Sequence, residues 1–425
     1  MALPQSRPQP DHRTSCRFCG TALSKSFVDL GIQPPANYYV RPEDAGKAER
    51  FYPLHAYVCE SCLLVQLEEF QTPDELFGDY AYFSSYSESW VRHAERYAEA
   101  MMKRLGLGAR SLVVEVASND GYLLQHFKKR GVPVLGVEPA ANVAEVAETK
   151  GIPSLVRFFG VETATEMVAA GQGADLLVGN NVLAHVPDLN DFVAGMAILL
   201  KPEGTLTMEF PHLLQLVANV QFDTIYHEHF SYFSLHTVEK VFARHGIELF
   251  DVEELSTHGG SLRIFGRHKA PNGIKANGAI GTAIGAVKAK ERAAGLDRVD
   301  GYKGFAETVA RTKRALLSFL IEAKAEGKRV VGYGAPAKGN TLLNYCGVRT
   351  DFLDYTVDAS PHKQGLMLPG TRIPIFAPER IFQTRPDYVL ILPWNIADEI
   401  TKQMSGIRAW GGKFVVPIPE VRVIG

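Results

Sequence analysis

Apolar and polar positions follow two different spacings along the chain, and the changes in spacing mark the predicted elements. At 89–105 apolar residues recur every three to four positions, which predicts an amphipathic helix. At 111–116 they form a short continuous run, which predicts a strand of a parallel sheet that is buried on both faces. The same criteria predict strands at 134–137, 175–179 and 205–210, and helices at 140–150 and 189–200. Alternating strands and helices predict a doubly wound α/β domain.

A second α/β unit is predicted nearer the carboxyl terminus. Residues 270–326 are rich in Ala, Lys and Glu and end in a long amphipathic stretch, so we expect connecting helices there. The segment 329–334 has the pattern of a buried strand followed by a tight turn. Later strands are predicted at 352–357, 388–392 and 413–416.

The amino-terminal part has a different pattern, with a polar, Pro-rich start at 1–14 and short strands and turns at 15–72. Four of the five cysteines form two C-x-x-C pairs, Cys16 with Cys19 and Cys59 with Cys62. Two such pairs can present four thiolates to one tetrahedral zinc ion. Four ligands leave no open position, so the ion would stabilise the fold and would not activate water. Unrelated thiols or a redox pair are the alternative.

Composition narrows the class of protein. A chain of 425 residues with 46% hydrophobic residues exceeds one typical domain, so we expect two or three. A formal charge of -2 and the lack of a basic run argue against a nucleic-acid partner. No apolar run is long enough to span a bilayer, and the start lacks the apolar stretch of a signal peptide. We therefore expect a reduced, cytoplasmic protein without a membrane partner.

The turn after the first strand of the central domain, 117–121, lacks the G-x-G-x-x-G that a dinucleotide requires. Glu138 ends the next strand, where an acid can accept both hydroxyls of a ribose. Together with Glu115 and Asp120 it makes the site acidic, which repels phosphate but suits a cationic sulfonium with an amino group. This favours S-adenosylmethionine. In the alternative, Gly121 serves folding and the acids lie on the surface.

Polar and aromatic residues are densest at 222–233, which contains Tyr226, His227, Glu228 and His229. A histidine can remove a proton near neutral pH, and a neighbouring carboxylate can orient it. A metal site is the alternative, since His227 and His229 would share one face of a strand. His185, in the segment after the strand 175–179, could face a ligand, although a lone histidine is equally a capping or core residue.

Two further turns could approach a substrate. The segment 258–261 contains two glycines and could bring backbone close to a ligand, or it could simply connect strands. The segment 334–340 is not a P-loop because its lysine precedes the glycine, yet helix amides and Lys338 could bind a diphosphate. Alternatively Lys338 is merely solvated. Asp358, Lys363 and Gln364 follow the next strand and could contact a nucleotide.

In this order the motifs resemble those of the S-adenosylmethionine-dependent C-methyltransferases of nucleotide-linked deoxysugars, which place a methyl branch on carbon 3 of a 4-keto sugar. The resemblance covers nearly the whole chain. The segments that carry it are the paired cysteine knuckles, 80–87, 118–121, 181–185, 226–230, 258–263 and 332–338.

The resemblance implies an α/β protein in three parts. These are a zinc-binding domain at 1–75, a class I methyltransferase Rossmann-like domain at 76–268, and connecting helices with a Rossmann-like sugar-nucleotide domain at 269–425. It also implies that His229 is the general base. The surrounding catalytic groups would be Glu228, Tyr226, Tyr80 and His185.

The remaining expected site residues divide by ligand. The expected S-adenosylmethionine residues are Glu115, Ser118, Asn119, Asp120, Gly121, Glu138, Asn180 and Asn181. The expected substrate residues are Tyr82, Ser84, His258, Gly260, Ser261, Lys338, Asn340 and Lys363. The structural zinc would be held by Cys16, Cys19, Cys59 and Cys62.

Three questions stay open at the level of sequence. The same fold could methylate oxygen or nitrogen, or the chain could be a zinc-containing binding protein without activity. His227 could share or take the role of base. We expect a monomer whose partner is a nucleotide-linked 4-keto sugar.

Overall fold

The computed structural model describes residues 15–77, 83–269 and 280–425. Two residues expected at the site, Tyr80 and Tyr82, lie outside these ranges. Within them the chain forms three sheets, of four, seven and six strands. None of the described helices is both long and apolar enough to cross a membrane.

The amino-terminal sheet is antiparallel, with neighbouring strands in the order of the chain. Its elements are β1 (Lys25–Gln33), β2 (Tyr52–Val58), β3 (Val65–Leu67) and the short helix α1 (Pro73–Phe77).

The central sheet has seven strands. The strands of this region are β4 (Val113–Val116), β5 (Val134–Val137), β6 (Ser154–Leu155), β7 (Ala174–Asn180), β8 (Leu200–Pro211), β9 (Ser231–Tyr232), β10 (Ile247–Leu255) and β11 (Ser261–His268). The sheet order is β10-β11-β8-β7-β4-β5-β6, while β9 pairs with β3 of the amino-terminal sheet. Only β11 runs antiparallel to both neighbours. This confirms the expected class I methyltransferase fold.

Helices cover the central sheet. They are α2 (Glu88–Leu105), α3 (Leu124–Lys128), α4 (Ala141–Thr149), α5 (Val161–Ala169), α6 (Leu189–Leu199), α7 (Leu213–Ala218) and α8 (Leu235–Arg244). Helix α2 shows why the spacing predicts them. Ser87 caps its first turn by accepting from the Trp90 amide, and Gly106 ends it in the left-handed conformation. Ala94, Tyr97, Ala98 and Met101, at helical spacing, form its buried face.

The carboxyl-terminal part begins with the two predicted connecting helices, α9 (Ile280–Ala293) and α10 (Phe305–Ala325). The elements that follow are β12 (Val330–Tyr333), α11 (Ala337–Cys346), β13 (Thr356–Val357), β14 (Ile375–Phe376), α12 (Glu379–Thr384), β15 (Tyr388–Ile391), α13 (Ala397–Gln403), β16 (Lys413–Val416) and β17 (Arg422–Ile424). The sheet order is β14-β13-β12-β15-β16-β17, parallel except for β17. This is the expected Rossmann-like unit.

The first and last domains share one hydrophobic core. Phe27 of β1 stacks on Phe305 of α10 with ring centroids 4.5 Å apart, and Leu54 of β2 belongs to the same buried cluster as Leu342 of α11. The cysteine knuckles pack instead into the core of the central domain. The amino-terminal domain therefore contacts both other domains and fixes how they face each other.

Candidate active site

The two cysteine knuckles come together as one cluster. The Sγ atoms of Cys16, Cys19, Cys59 and Cys62 all lie within 4.8 Å of one another. Cys16 and Cys62 are 3.5 Å apart, as are Cys19 and Cys59. A tetrahedral zinc with Zn–S bonds of about 2.3 Å separates its sulfurs by about 3.8 Å. The cluster therefore fits zinc, and in the described ranges it is the one group of this kind.

The local fold of each knuckle is set by the backbone. Gly20 and Leu63, each four residues after the first cysteine of its pair, donate their amides to Cys16 and Cys59 and have positive φ angles. Gln66 of β3 donates a hydrogen bond of 3.1 Å to Cys16 Sγ. Such partners of metal ligands orient the sulfur. The ion would be closed by four thiolates and hold the knuckles together.

The expected cofactor residues gather where the central sheet changes direction. The chain runs from β4 to β5 and β6 on one side and returns to β7 on the other. Ligands of open α/β sheets bind in the crevice at this point. Three residues without a glycine's freedom have positive φ here, Ala117 and Asn119 after β4 and Asn181 after β7. Such strain is typical of ligand sites.

Unpaired buried polar atoms surround this crevice and fit a polar ligand. Among the described residues nothing hydrogen-bonds Ser118 Oγ, Asp120 Oδ1, Asn181 Oδ1 or either polar atom of the Asn180 amide. A buried polar group without a hydrogen bond costs free energy, so we expect a ligand to bond these atoms. Burial raises the pKa of Glu115 well above its usual value. A cation placed in this crevice would reverse that shift.

Glu138 lies at the end of β5 and is 5% exposed. Its two oxygens accept from the backbone amides of Asn119, at 2.9 Å, and Ala140, at 3.0 Å. Burial raises the pKa of Glu138, while these two amides oppose the shift. Each carboxylate oxygen keeps a second lone pair, so a ribose hydroxyl can still be bound. Gly121 closes the turn with a φ of +74°.

His229 lies in the loop between α7 and β9 and has a defined tautomer. Its Nδ1 is 2.8 Å from the carbonyl oxygen of Thr224. A carbonyl only accepts, so Nδ1 carries the hydrogen and Nε2 holds the free lone pair. Nε2 has no hydrogen bond to any described residue. Burial, followed by the proximity of His185, lowers the pKa of His229 well below its usual value, so the ring is neutral at pH 7.

Two of the expected catalytic side chains pack against this ring. The Tyr226 ring centroid lies 3.9 Å from that of His229, and His185 lies 4.7 Å away in an edge contact. Burial lowers the pKa of His185 to about 4 and keeps its imidazole neutral, while a hydrogen bond to the Glu228 backbone opposes the shift. Tyr232, 6.3 Å away, was not among the expected site residues. The base is thus lined by aromatic groups with polar ends.

Glu228 is placed differently from what its sequence position suggests. Its Oε1 accepts from Asn37 Nδ2 at 2.7 Å, and the side chain is 4% exposed. Burial raises the pKa of Glu228 to about 7, and the Asn37 hydrogen bond opposes the shift. The group that orients His229 is therefore the Thr224 carbonyl and not the neighbouring carboxylate. Asn37 was missed because it lies far away in the sequence.

His227 and His229 do not share a strand. Residues 227 and 228 form a turn. His227 is 5% exposed, its Nε2 is 3.2 Å from the Pro53 carbonyl, and its ring packs on Tyr52. The expectation of one shared face, on which the alternative metal site depended, is wrong. His227 is bound to the amino-terminal domain, whereas His229 faces His185.

The carboxyl-terminal domain supplies one wall of the site. Lys338, in the first turn of α11, lies 4.5 Å above the Trp394 ring and donates to Asn395 Oδ1. Burial lowers the pKa of Lys338 to about 8, while Asp223 opposes the shift. The charge of Lys338 contributes to the lowered pKa of both His229 and His258. Lys338 thus reaches the side of the crevice where the base lies.

The other expected substrate residues are divided between this cleft and the scaffold. The protein around His258 desolvates its imidazole and lowers the pKa of His258 to about 4, although the residue as a whole keeps access to solvent. Ser84 donates its amide to Asn119 Oδ1 at 2.8 Å, beside the cofactor turn. Lys363 donates to the Ala335 carbonyl at 2.9 Å, next to the start of α11.

Three further residues have structural partners. Asn340 is 1% exposed and donates to the Ala36 carbonyl, which joins α11 to the amino-terminal domain. Gly260 accepts from the His212 amide at 3.0 Å, and Ser261 Oγ donates to the Thr257 carbonyl at 3.0 Å. These contacts hold the turn that carries His258.

Comparison with known proteins assigns each part of the chain to a family. Residues 16–77 match a zinc binding domain family, 90–252 a methyltransferase domain family, and 256–419 the C-methyltransferase C-terminal domain family. The chain is 38% identical over 409 residues to the C-methyltransferase NovU of Streptomyces niveus, and the match covers 96% of each chain.

More distant relatives match the central domain. A ubiquinone biosynthesis O-methyltransferase of Chelativorans is 25% identical over 169 residues, which cover 38% of this chain and 60% of that one. The magnesium protoporphyrin IX methyltransferase of Synechocystis with bound SAH is similar at a TM-score of 0.34 and 14% identity, over 42% of this chain and 83% of that one. From the near full-length match, the chain belongs to the S-adenosylmethionine-dependent C-methyltransferases that carry an amino-terminal zinc-binding domain.

Proposed function

We propose that this enzyme transfers a methyl group to carbon 3 of a nucleotide-linked 4-keto deoxyhexose, with His229 as the general base. The observation that carries the proposal is the fixed tautomer of His229. Its Nδ1 hydrogen is held by the Thr224 carbonyl, 2.8 Å away, and this leaves Nε2 as an acceptor. Such a nitrogen can take a proton from a carbon acid.

The substrate class follows from what C-methylation needs. A carbon must carry an electron pair before it can be methylated, and a neighbouring ketone makes its C–H acidic enough for imidazole. His229 takes the proton from carbon 3, and the electron pair passes into an enolate. S-adenosylmethionine, when bound, supplies the electrophilic methyl group that the enolate carbon takes. The basicity of His229 would rise when an anionic substrate lies beside it, which offsets its lowered pKa.

The enolate oxygen needs hydrogen-bond donors, each of which can contribute about 3 kcal/mol to the transition state. Tyr226 and neutral His185 lie against the base. We assign this role to Tyr226 and Tyr80, whereas His185, whose N–H is held by the Glu228 backbone, packs on the base. Glu228, whose pKa is about 7, accepts from Asn37, and we assign it the role of holding the loop that carries His229 against the amino-terminal domain.

The nucleotide end of the substrate is assigned to the carboxyl-terminal wall. Lys338 and Lys363 provide cations at the start of α11, and a helix start favours phosphate. A diphosphate bound there would place the sugar towards His229, because Lys338 is close enough for its charge to lower the pKa of His229. His258 and Ser84 would line the same cleft. The similarity to NovU supports C-methylation, and the sugar is our proposal.

The proposal can be tested with 4-keto deoxysugar nucleotides in heavy water. We expect deuterium to enter at carbon 3 with the wild-type enzyme, even when S-adenosylhomocysteine replaces the methyl donor. His229→Ala should abolish both this exchange and methylation. His227→Ala is the matched control, since its ring contacts Tyr52 and not the cleft.

Two results would contradict the proposal. A product with its new methyl group on oxygen or nitrogen would exclude the enolate route. Exchange that survives in His229→Ala but disappears in His227→Ala would move the base to His227.

A further inference from the structure

A short turn just before the base has a fully buried acid that the proposed reaction does not use. Asp223 is 0% exposed and lies in the turn 222–224. Burial raises the pKa of Asp223 to about 7, and Lys338 and a hydrogen bond from Trp394 oppose the shift. A buried carboxylate is expensive unless it is held by partners. The group that hydrogen-bonds Asp223 therefore decides whether this carboxylate can stay buried.

That partner comes from the other side of the cleft. Trp394, after β15 of the carboxyl-terminal domain, donates its indole N–H to Asp223 Oδ2 at 2.7 Å. The ring also packs on the turn at Gly259, where an added Cβ would come within 2.8 Å of Trp394 Cη2. Trp394 thus contacts both the turn 222–224, which leads into the loop of His229, and the turn that carries His258.

The contact reaches the base through one residue. Thr224, next to Asp223, provides the carbonyl that holds His229 Nδ1. The carboxyl-terminal domain makes a second hydrogen bond to the next residue along the chain: Thr341 Oγ1 of α11 donates to the Ile225 carbonyl at 3.1 Å. The peptide group that sets the tautomer of His229 is therefore flanked by two contacts from the carboxyl-terminal domain.

We propose that Asp223 and Trp394 are a positioning pair, by which the carboxyl-terminal domain holds the Thr224 carbonyl where it fixes the Nδ1–H tautomer of His229. Neither residue needs to touch the substrate. Without the indole hydrogen bond the buried carboxylate loses its cross-domain donor and the turn can relax. The carbonyl would then hold Nδ1 less firmly, and His229 could place its hydrogen on Nε2, which cannot accept a proton. The inference rests on the proposed role of His229 as base.

The test is Trp394→Phe, which keeps a ring over Lys338 and beside Gly259 but removes the donor. We expect kcat to fall at least fivefold while the KM for S-adenosylmethionine stays within twofold. Nitrogen NMR of ¹⁵N-histidine enzyme should show His229 changing from one tautomer to a mixture, with His229→Gln identifying its signals. Trp410→Phe is the matched control, since its indole donates at 3.0 Å to the Pro386 carbonyl away from the site.

A second variant guards against misfolding. Replacing Trp394 with 3-benzothienylalanine preserves the shape and removes only the N–H, so it should reproduce the effect. Asp223→Asn keeps an oxygen that can accept the indole bond, so it should retain a single tautomer. Wild-type kcat and an unchanged His229 tautomer in both Trp394 variants would overturn the inference. If wild-type enzyme makes no C-methylated sugar, the proposed function fails instead, and the tautomer measurement still tests the pair.

Discussion

At the scale of single residues, the site depends on side chains whose pKa values are shifted by burial and on a histidine whose tautomer is fixed by a hydrogen bond. His229 is neutral because protein surrounds it, and a backbone carbonyl decides which nitrogen carries its hydrogen. Glu228, the preceding residue, accepts a hydrogen bond from Asn37 of the amino-terminal domain. A turn sends successive side chains in different directions, so neighbours in sequence serve different domains.

The Asn37 hydrogen bond should stabilise the fold in a pH-dependent manner. Asn37→Ala leaves the buried Glu228 without its donor, which costs about 1–3 kcal/mol when the carboxylate is charged. The folded-state pKa of Glu228 is about 7 and would rise further in this variant, because the hydrogen bond from the Asn37 side chain lowers it. At pH 5.5 Glu228 is protonated with or without Asn37 and the loss is small. The loss grows as the pH rises above 7, where the wild-type carboxylate ionises, and it is complete only above the raised pKa of the variant. Urea unfolding at pH 5.5 and 8.0 measures the difference.

Asn344→Ala provides the comparison for this effect. Asn344 also donates from a partly buried amide, but its acceptors are the carbonyls of Asn340 and Pro369, which do not titrate. Its destabilisation should be the same at both pH values. Equal pH dependence in the two variants would show that Glu228 is not the acceptor that matters.

What the sequence could predict at this scale follows from how local each signal is. The cysteine pairs and the turn 117–121 are written in contiguous residues, and the structure brings each together. Asn37, Asp223 and Trp394 act through partners more than 170 positions away. The Thr224 carbonyl is a backbone group, and no residue type announces it. These partners required the tertiary structure.

At the scale of elements, a strand pair connects the cysteine knuckles to the loop that carries His229. Gln66 of β3 donates to Cys16 Sγ and also pairs with Ser231 of β9. Just before β9, the Leu67 amide donates to the Phe230 carbonyl at 3.0 Å. His229 is the next residue back along the chain. The knuckles therefore support the loop that carries the base.

Loss of zinc should impair turnover more than cofactor binding. In Cys16→Ser the weaker ligand should lower the bound zinc from one ion per chain, and β3 should lose its anchor. We expect kcat to fall about tenfold, in line with losses seen on disturbing metal surroundings. The affinity for S-adenosylmethionine should fall less than kcat, because the knuckles share only a buried apolar cluster with β4 and β5 but are joined by backbone pairing to β9. Metal analysis, kinetics and calorimetry measure the three quantities.

Cys346→Ala removes the fifth cysteine, which is buried in α11 away from the cluster, and should keep full zinc content. A Cys16→Ser enzyme with no zinc and undiminished kcat would disprove the link between the knuckles and the base.

The cofactor turn has little space for an added methyl group. A Cβ at Gly136 of β5 would overlap Ser118 Oγ and come within 2.9 Å of Ser118 Cβ. Gly136→Ala should push the turn out of place and raise the Kd for S-adenosylmethionine about tenfold, or 1.4 kcal/mol. Calorimetric titration measures this. At Gly108 an added Cβ meets nothing within 4 Å, so Gly108→Ala should bind normally; equal affinities would place the cofactor elsewhere.

Elements with strong periodicity were predictable, and those made by pairing were not. The helix predicted at 89–105 is Glu88–Leu105, and the strand predicted at 134–137 has those bounds. The strand predicted at 352–357 is a strand only at Thr356–Val357; Phe352 lies in a turn and 353–355 have no regular structure. β9 has two residues and exists because β3 lies beside it. Elements of two residues are too short to show a periodic spacing of apolar residues.

At the scale of the whole molecule, the second α/β domain meets the central domain at the turn 222–224, where Trp394 donates to Asp223. The strand order changes direction beside β4 and β7 in the central sheet and between β12 and β15 in the second sheet, where Lys338 meets Asn395, and open α/β sheets bind ligands at such points. The amino-terminal domain holds both domains, through Tyr39 to the Ala335 carbonyl and through β3 to β9. We expect one chain of 46.8 kDa to form a complete site, as a monomer.

A second connection runs along the cofactor side of the cleft. Ser84 and Ser85 donate their amides to Asn119 and Asp120 of the cofactor turn. The adjacent Tyr86 hydroxyl lies 3.3 Å from His362 Nε2, in the loop after β13. The segment 84–86 therefore contacts both the cofactor turn and the domain assigned to the sugar nucleotide, and we expect a ligand bound at the turn to hold the segment in place.

Binding of the two ligands should therefore be coupled. We expect S-adenosylhomocysteine to lower the Kd of a 4-keto sugar nucleotide by about 5-fold or more, the lower end of ordinary coupling energies. Coupling is reciprocal, so the sugar nucleotide must tighten S-adenosylhomocysteine by the same factor. His362→Ala removes the contact with Tyr86 and should reduce the factor towards one, whereas His55→Ala, in the amino-terminal sheet, should not. Four calorimetric titrations per protein close the cycle, and full coupling in His362→Ala would show that the domains communicate by another route.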